Sequence, residues 1–481
     1  MRFTLIGHST LYVETSGPSI LVDPWLSGSC YWRSWWHFPP SAEARPEWLA
    51  PDYVYLTHHH FDHFHYPTLR RLDRRARILI PRFGVDVMED EVRGLGFAHI
   101  TELPHGQVTT LAPGVEVASY QYGFDDTTFV ISDHGEVLVD FNDCKLRGRP
   151  LDQLTDRFPN PTFMFKSHSW AQAYPNCYRA EDEADLKLLD RERYLEEFLD
   201  TARELRPHYA IPFGSMVAFL HPDTRYLNEF IITPGEVAEA SGTDVEVVPM
   251  IPGDSWSSKT GFAIGDTDWY TERARHLDEL ATAVDPLMDE LAADERDRHV
   301  DWETFAAYFG RFARDLPPLT ARVLVSRPIV FDVPSSPEPY WVLDLRRRTV
   351  WRSAIPPSDR ADIIQVPEAV LADAIDKRIT HFLHGSMRIR IDLRPGGASS
   401  DLAFWGLLMI WEIGYLPARH LFNPRFAAVL WRRRREFTDY VATIAGGRGS
   451  ALTRMSSQFG TRTHDRAGDD DGERLEAARA G

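Results

Sequence analysis

The chain has 481 residues, a net charge of −18 at pH 7 and ordinary globular proportions, 43% hydrophobic and 26% charged. That length suits two or three domains, and the acidic balance argues against a nucleic-acid-binding surface, the basic runs at 70–77 and 432–435 reading as solvated helix faces. Three widely separated cysteines, Cys30, Cys144 and Cys177, give neither a disulfide framework nor zinc-ribbon spacing and fit a reducing compartment. The N-terminal residues 1–6 are too few and too polar in their flanks for a signal peptide, and the longest apolar run, 403–416, is broken by Glu412 and too short to span a bilayer. A cytoplasmic protein is expected, with no nucleic-acid partner and no membrane insertion.

Residues 2–6 and 11–14 alternate like paired strands across Gly7-His8-Ser9-Thr10, and residues 20–25 read as a buried strand stopped by Asp23-Pro24. Residues 25–48 hold Trp25, Tyr31, Trp32, Trp35, Trp36, Phe38 and Trp48, an aromatic loop that either walls a pocket or forms a satellite hydrophobic cluster. The apolar run 53–56 then leads into Thr57-His58-His59-His60-Phe61-Asp62-His63, with a helix expected over 67–77. His58 and His60 are two apart on an extended segment and share a face, while Asp62 and His63 sit in the turn and aim at a second point. Imidazole and carboxylate suit zinc, iron or manganese, and two adjoining donor sets suit a two-metal centre.

Strand–helix alternation continues through 78–81, 84–94 and several short strands to 136–143, which ends in the carboxylates Asp140 and Asp143. The polar-aromatic loop 166–176 carries His168 at a strand end, a candidate ligand or acid/base group. An acidic amphipathic helix is expected over 184–206 and a strand over 209–215, with His221 seven residues beyond Gly214. Closing strands over 242–266 set the first domain at 1–265. The second, 270–445, reads as helices at 270–297 and 301–315, strands at 321–325, 329–331, 341–344, 349–351 and 363–367, a helix at 368–376, a strand at 385–391 and an apolar helix at 399–413. Residues 446–481, rich in Gly, Arg and Asp, read as a disordered tail.

The 57–63 motif strongly resembles the signature of the metallo-β-lactamase superfamily, and Gly7-His8-Ser9 and Asp23-Pro24 are familiar from its lactonase and phospholipase-D types. The resemblance implies an α/β fold, an αββα sandwich, with Asp143 as the carboxylate bridging two divalent metals and Asp140 in reserve. His8 then lies near the metals or is a hydrogen-bonded structural histidine. The superfamily places a further His in the turn before strand 127–132. Here that turn is Tyr120-Gln121-Tyr122-Gly123-Phe124-Asp125-Asp126, so Asp126, Asp125, Tyr122 or water takes the place, while the nearest imidazole, His105, fits a turn role. A hard oxygen donor moves preference from zinc towards iron or manganese. The last superfamily His falls at Gly214, leaving His221 to reach back to the second metal.

The order of elements in the second domain, with Pro367-Glu368 opening a helix and Gly385 before a strand, resembles a smaller α+β fold, sterol-carrier-protein-2-like (SCP2-like). Val22-Asp23-Pro24-Trp25-Leu26, Trp35-Trp36, Asp62-His63, Tyr66-Pro67-Thr68-Leu69, Asn142-Asp143-Cys144, Pro212-Phe213-Gly214, His221-Pro222, Tyr226 and His420-Leu421-Phe422 together are similar to CMP-N-acetylneuraminate hydroxylases without their Rieske domain. No Rieske Cys-x-His…Cys-x-x-His pair occurs in the sequence. The acidic turn at 125–126 is also similar to di-iron hydroxylases of antibiotic biosynthesis in which a carboxylate replaces the third His.

The expected function is a di-iron or iron–manganese oxygenase acting on a polar small molecule, with electrons from an external ferredoxin or reductase. His58, His60 and Asp126 would hold the first metal, and Asp62, His63, His168 or His221 the second, with Asp143 between them and Asp62 and His168 as catalytic candidates. The alternative is a hydrolase of a phosphoester, lactone or amide, using a metal-activated hydroxide with zinc or manganese also possible.

Overall fold

The computed structural model describes residues 1–445 apart from 83–86, 124–125, 171, 188–190, 267, 357–360, 418 and 420–421. The tail 446–481, the ligand candidate Asp125, and His420-Leu421 of the family resemblance lie outside the described residues.

Two sheets built from the first 263 residues face one another. The first is eight-stranded, in the order Gly261–Ala263, Ser255–Ser257, Arg2–Gly7, Thr10–Glu14, Ser19–Val22, Tyr53–Tyr55, Arg77–Pro81, Ile100–Leu103. The second is six-stranded, in the order Tyr209–Pro212, Phe163–Lys166, Glu136–Asn142, Asp126–Asp133, Val115–Tyr122, Val108–Ala112. Period-2 alternation sorts each strand between two cores. Phe3, Leu5, Val22, Tyr55 and Leu79 meet Phe129, Leu138, Phe163 and Ile211 between the sheets. Ile6, Leu21, Val54 and Ile78 face outward and pack against Trp48, Leu69 and Val92 of the covering helices. On the far side, Val130, Val139 and Met164 pack on Leu151, Leu154 and Phe198 from the helices Arg149–Arg157 and Arg191–Leu205. Tyr55 and Phe129 stack across the inter-sheet core at 3.7 Å. The result is a helix–sheet–sheet–helix sandwich, followed by a smaller α+β region.

That region has its own six-stranded sheet, in the order Tyr178–Ala180, Arg390–Leu393, Asp362–Gln365, Ile329–Asp332, Tyr340–Asp344, Thr349–Ser353. Its edge strand Tyr178–Ala180 comes from the sandwich portion and runs parallel to Arg390–Leu393. The apolar core also runs without a break from Val139 and Phe198 to Phe331, Phe382 and Phe404.

Several expected elements differ. Residues 321–325 are not a strand: 321–324 belong to the helix Pro318–Leu324 and Val325 follows it. Pro317 and Pro318 favour a helix start, and Ala321 and Val325 are buried at i,i+4 while Val323 is exposed, which is helical rather than strand spacing. The strand expected over 385–391 is the helix Phe382–Ser386, a left-handed turn at Met387 (φ 60°), and then Arg390–Leu393. The helix expected over 67–77 is the single turn Tyr66–Leu69. No helix among the described residues is long and apolar enough to cross a membrane.

Candidate metal centre

Parallel pairing gathers the site. Ser19–Val22 pairs with Tyr53–Tyr55, and Glu136–Asn142, Phe163–Lys166 and Tyr209–Pro212 pair in series, all parallel. Their C-terminal ends deliver Asp23, the His58–His63 segment, Asp143, His168 and Gly214, because parallel strands send all following loops to one edge.

Asp23, fully buried, organises the centre. It accepts hydrogen bonds from the Thr57 backbone N–H (2.8 Å), the Thr57 hydroxyl (2.6 Å) and the Asn142 side-chain amide (2.5 Å). Its Oδ2 also lies 2.8 Å from His63 Nδ1. His63 Nε2 is thereby turned inward, 3.1 Å from Asp62 Oδ2 and 3.5 Å from Asp143 Oδ2. The Thr57 hydroxyl lies 2.9 Å from His58 Nδ1, and His58 Nε2 is 2.7 Å from His60 Nδ1. Asp62 is held by Tyr31, whose hydroxyl donates to Oδ1 (2.7 Å), and by His8, whose Nε2 is 2.9 Å from Oδ2.

Two groups of donors result. One ligand atom each from His8, Asp62 and His63 lies within 4.8 Å of the others, and the same holds for His58, His60 and Asp143. The groups adjoin, with the His58 and His63 rings 4.2 Å apart. His63 Nε2 and Asp143 Oδ1 are buried without a hydrogen bond of good geometry, in the space on which the donors converge. Four imidazoles and two carboxylates with orphaned inward atoms suit a pair of cations. The carboxylates around this space favour positive charge, carried on His63 where no cation is bound. Burial opposes charge on His63, but Asp62, Asp143 and Asp23 overcome it and hold its pKa well above the ordinary value. Burial, with the neighbouring His63 and His60, pushes His58 well below the ordinary value, into the neutral form that ligates.

Of the residues expected from sequence, His58, His60, Asp62, His63 and Asp143 are brought together. Asp126 lines the same cavity as His60, Asp62 and Asp143. His168 is buried beside this region but belongs to neither donor group; burial lowers its pKa to about 4, with the backbone at Phe213 and Ile232 facing the ring. His221 is placed elsewhere. Its Nδ1 accepts from the Asp223 backbone N–H at 3.1 Å, and it faces Arg388, so it joins the contact between the two portions rather than the donors. Asp140 is also buried; Oδ1 accepts from the Asn142 backbone N–H, and burial and Asp23 raise its pKa well above the usual range. His105 accepts from the Gln121 backbone N–H at 2.9 Å, a turn role. His8, Asp23 and Tyr31 are parts of the centre that no contiguous motif marks, although Asp23-Pro24 and Gly7-His8 flagged the first two.

The donors open into a cavity of about 410 Å³. Tyr31 and Trp35 of the aromatic loop wall one side, and His381, Phe382, His384 and Trp405 of the C-terminal portion wall another. Lys145 lies at its edge, donating to the Asp143 carbonyl (2.7 Å) and the Ser167 hydroxyl (3.0 Å).

Residues 2–157 match the model of a β-lactamase superfamily domain. The first part of this chain resembles the metallo-β-lactamase superfamily in sequence and in fold. The chain is similar to a putative Rieske 2Fe-2S iron-sulfur protein of Mycobacterium tuberculosis, 28% identical over 327 residues, covering 60% of this chain and 61% of that one. It is also similar to the cytidine monophosphate-N-acetylneuraminic acid hydroxylase of Mus musculus, 25% identical over 250 residues, covering 48% of this chain and 41% of that one. The chain thus spans about three fifths and two fifths of the length of these two relatives. Among solved structures it is similar to Igni18, a metallo hydrolase of Ignicoccus hospitalis (TM-score 0.38, 19% identity, 53% of this chain and 96% of that one), and to a variant of the β-hydroxylase CmlA (TM-score 0.34, 18% identity, 44% and 45%). Both donor groups lie within the matched residues 2–157.

Two predictions arise from this geometry. Asp23→Ala removes the group that sets the His63 tautomer and anchors Thr57 behind His58. Loss of such an outer partner costs about 10–100-fold in metal affinity, and chelator competition should read it; unchanged affinity would refute the orienting role. The second concerns Lys166, fully buried with Nζ donating to the Cys144 carbonyl (3.2 Å). Burial, aided by Lys145, lowers its pKa to about 7. Between pH 7 and the ordinary lysine value the unfolded chain keeps a proton that the folded chain has lost. Stability therefore rises with pH there, by at most about 1.4 kcal/mol per unit for one proton. Lys166→Met should remove that increment from a series of urea melts between pH 7 and 9, and an identical slope in both proteins would count against it.

Proposed function

We propose that this protein is a dinuclear metal oxygenase that hydroxylates a polar small molecule held in the cavity beneath the aromatic loop. The donor set carries the reading: two imidazoles, His58 and His60, with the carboxylates Asp126 and Asp143 at hand where a third imidazole would suit zinc. Oxygen-rich sets favour iron or manganese, and the similarity to a hydroxylase and to a Rieske protein supports oxidative chemistry. His58, His60 and Asp126 would hold one ion, His8, Asp62 and His63 the other, and Asp143 would lie between. When bound, the metals supply dioxygen activation. The chain's own residues do the rest. Asp23 and Tyr31 fix His63 and Asp62, Trp35 and Trp405 enclose the substrate, and Lys145, Ser167 and Gln172 give it polar contacts. Electrons would come from a separate ferredoxin or reductase. In this reading residues 1–265 form the metal-bearing domain and 270–445 an SCP2-like domain that closes the cavity.

A hydrolase is the second reading, favoured by one observation. These 481 residues contain no Cys-x-His…Cys-x-x-His pair of the Rieske type, and hydrolysis needs no electron delivery. Metal analysis of anaerobically purified protein separates the two. Close to two irons per chain, with oxygen uptake on reduction, is the expected result. Zinc-loaded protein that cleaves a generic phosphodiester or lactone without oxygen would overturn the oxygenase in favour of the hydrolase.

A further inference from the structure

The cavity wall supplied by the C-terminal portion presents two imidazoles three residues apart, His381 tied directly to a buried carboxylate and His384 only through a tyrosine hydroxyl. His381 precedes the helix Phe382–Ser386, and both its backbone N–H (2.8 Å) and its ring Nδ1 meet Glu412 Oε2. Glu412 Oε1 accepts from the Thr380 backbone N–H and hydroxyl, each at 2.8 Å, and from the Tyr308 hydroxyl. The Glu412 side chain is 1% exposed, so these bonds hold it rigidly. With Nδ1 engaged, Nε2 is the ring nitrogen left for proton exchange, and His381 lines the cavity together with His60, Asp62 and Asp143. The adjoining Phe382 ring packs 5.5 Å from the His60 ring, setting this wall beside the donors.

His384 differs. Its Nε2 lies 3.0 Å from the Tyr178 hydroxyl, which donates to Asp401 Oδ2 at 2.6 Å. Burial lowers its pKa to about 3, so it stays neutral and serves as a fixed hydrogen-bonding group rather than a proton carrier.

We propose that His381, oriented by Glu412, transfers protons at Nε2 in the reaction of this cavity, so that the C-terminal portion supplies a catalytic group to a metal centre built by the N-terminal one. The proposal rests on the oxygenase reading. In hydroxylation a substrate C–H and dioxygen take up two electrons from a one-electron donor and two protons, giving C–OH and water. The O–O bond breaks, one oxygen entering the C–H bond and the other leaving as water; His381 Nε2–H gives that second oxygen one of its two protons, solvent gives the other, and the imidazole recovers its proton from solvent. Glu412 is the positioning residue, since a carboxylate on Nδ1 fixes the tautomer and steadies the imidazolium.

The test uses the full chain loaded with iron, reduced with dithionite and mixed with oxygen. Reoxidation is followed in H₂O and D₂O, with iron content as the control for folding. Wild type should show a solvent isotope effect. His381→Ala should retain two irons, react about 10²-fold more slowly, as loss of a general acid–base group does, and recover with added imidazole. Glu412→Gln should slow the reaction less, and ¹⁵N spectra of the zinc-loaded protein should show the His381 tautomer changed. Should alanine at 381 prevent folding, His381→Gln carries the same expectation without the rescue. A variant as fast as wild type with the same isotope effect, or a slow one that imidazole leaves unchanged, would overturn the proposal. Wild-type protein that holds two irons yet consumes no oxygen would instead bring down the oxygenase reading, and this proposal with it.

Discussion

His60→Ala is expected to abolish activity and to empty the first donor group. His60 is one of two imidazoles in that group, with Asp143 the remaining donor. The His58 ring would also lose its neighbour at 2.7 Å and the restraint on its orientation. Loss of an outer partner alone costs about 10–100-fold in metal affinity, and removal of a direct donor should exceed that. The fold should survive, because the inter-sheet core of Phe3, Tyr55, Phe129 and Phe165 lies away from this side chain. Elemental analysis beside circular dichroism checks both statements. Full activity with undiminished metal in a folded variant would eliminate the oxygenase and the hydrolase together.

The largest stability effect is expected at Arg388. Its guanidinium is 2% exposed and donates to Glu295 Oε1 (2.6 Å) and Oε2 (2.8 Å), and to Asp223 Oδ2 (3.0 and 3.2 Å). Glu295 sits near the end of the helix Arg273–Arg296, and Asp223 follows the strand Val217–Phe219 of the sandwich portion. One side chain thus ties three segments, two residues beyond the helix that forms the cavity wall. Removing it leaves a largely buried carboxylate unpaired, which costs about 3–5 kcal/mol when burial is complete. Asp223 is 43% exposed and water compensates part of its share, so Arg388→Ala should destabilise by about 3 kcal/mol. Arg388→Lys should recover little, because an ammonium cannot span both carboxylates in the bidentate manner. Urea titration read from both portions checks this, and a loss below about 1 kcal/mol would mean the pair contributes no more than a surface contact.

The continuous core and the borrowed strand Tyr178–Ala180 explain why the cavity cannot be divided between independent units. Phe382 packs on His60 and Phe61, and Tyr31 packs on Phe382. The helix Phe382–Ser386, which takes up the first two residues of the strand expected over 385–391, lies where His381 and His384 line the cavity.

What the amino-acid order alone determined is whatever is encoded over a few neighbouring residues. The His58–His63 cluster is contiguous, so its convergence follows from the two-residue period of an extended segment and the turn after it. The sandwich was legible because the 57–63 motif resembles the metallo-β-lactamase signature, and Asp143 because that resemblance implies a bridging carboxylate at the end of strand 136–143. Only the tertiary structure decided that Asp23 from one strand end grips His63 and Thr57 of another, that His8 and Tyr31 share Asp62, and that His221 turns towards Arg388. It alone placed His381 and Glu412, more than 300 residues beyond the motif, on the wall of the same cavity. The physical reason is range. Periodicity and turn chemistry act between adjacent residues, whereas a site is assembled by packing, which depends on which surfaces can be buried together and carries no mark in sequence spacing.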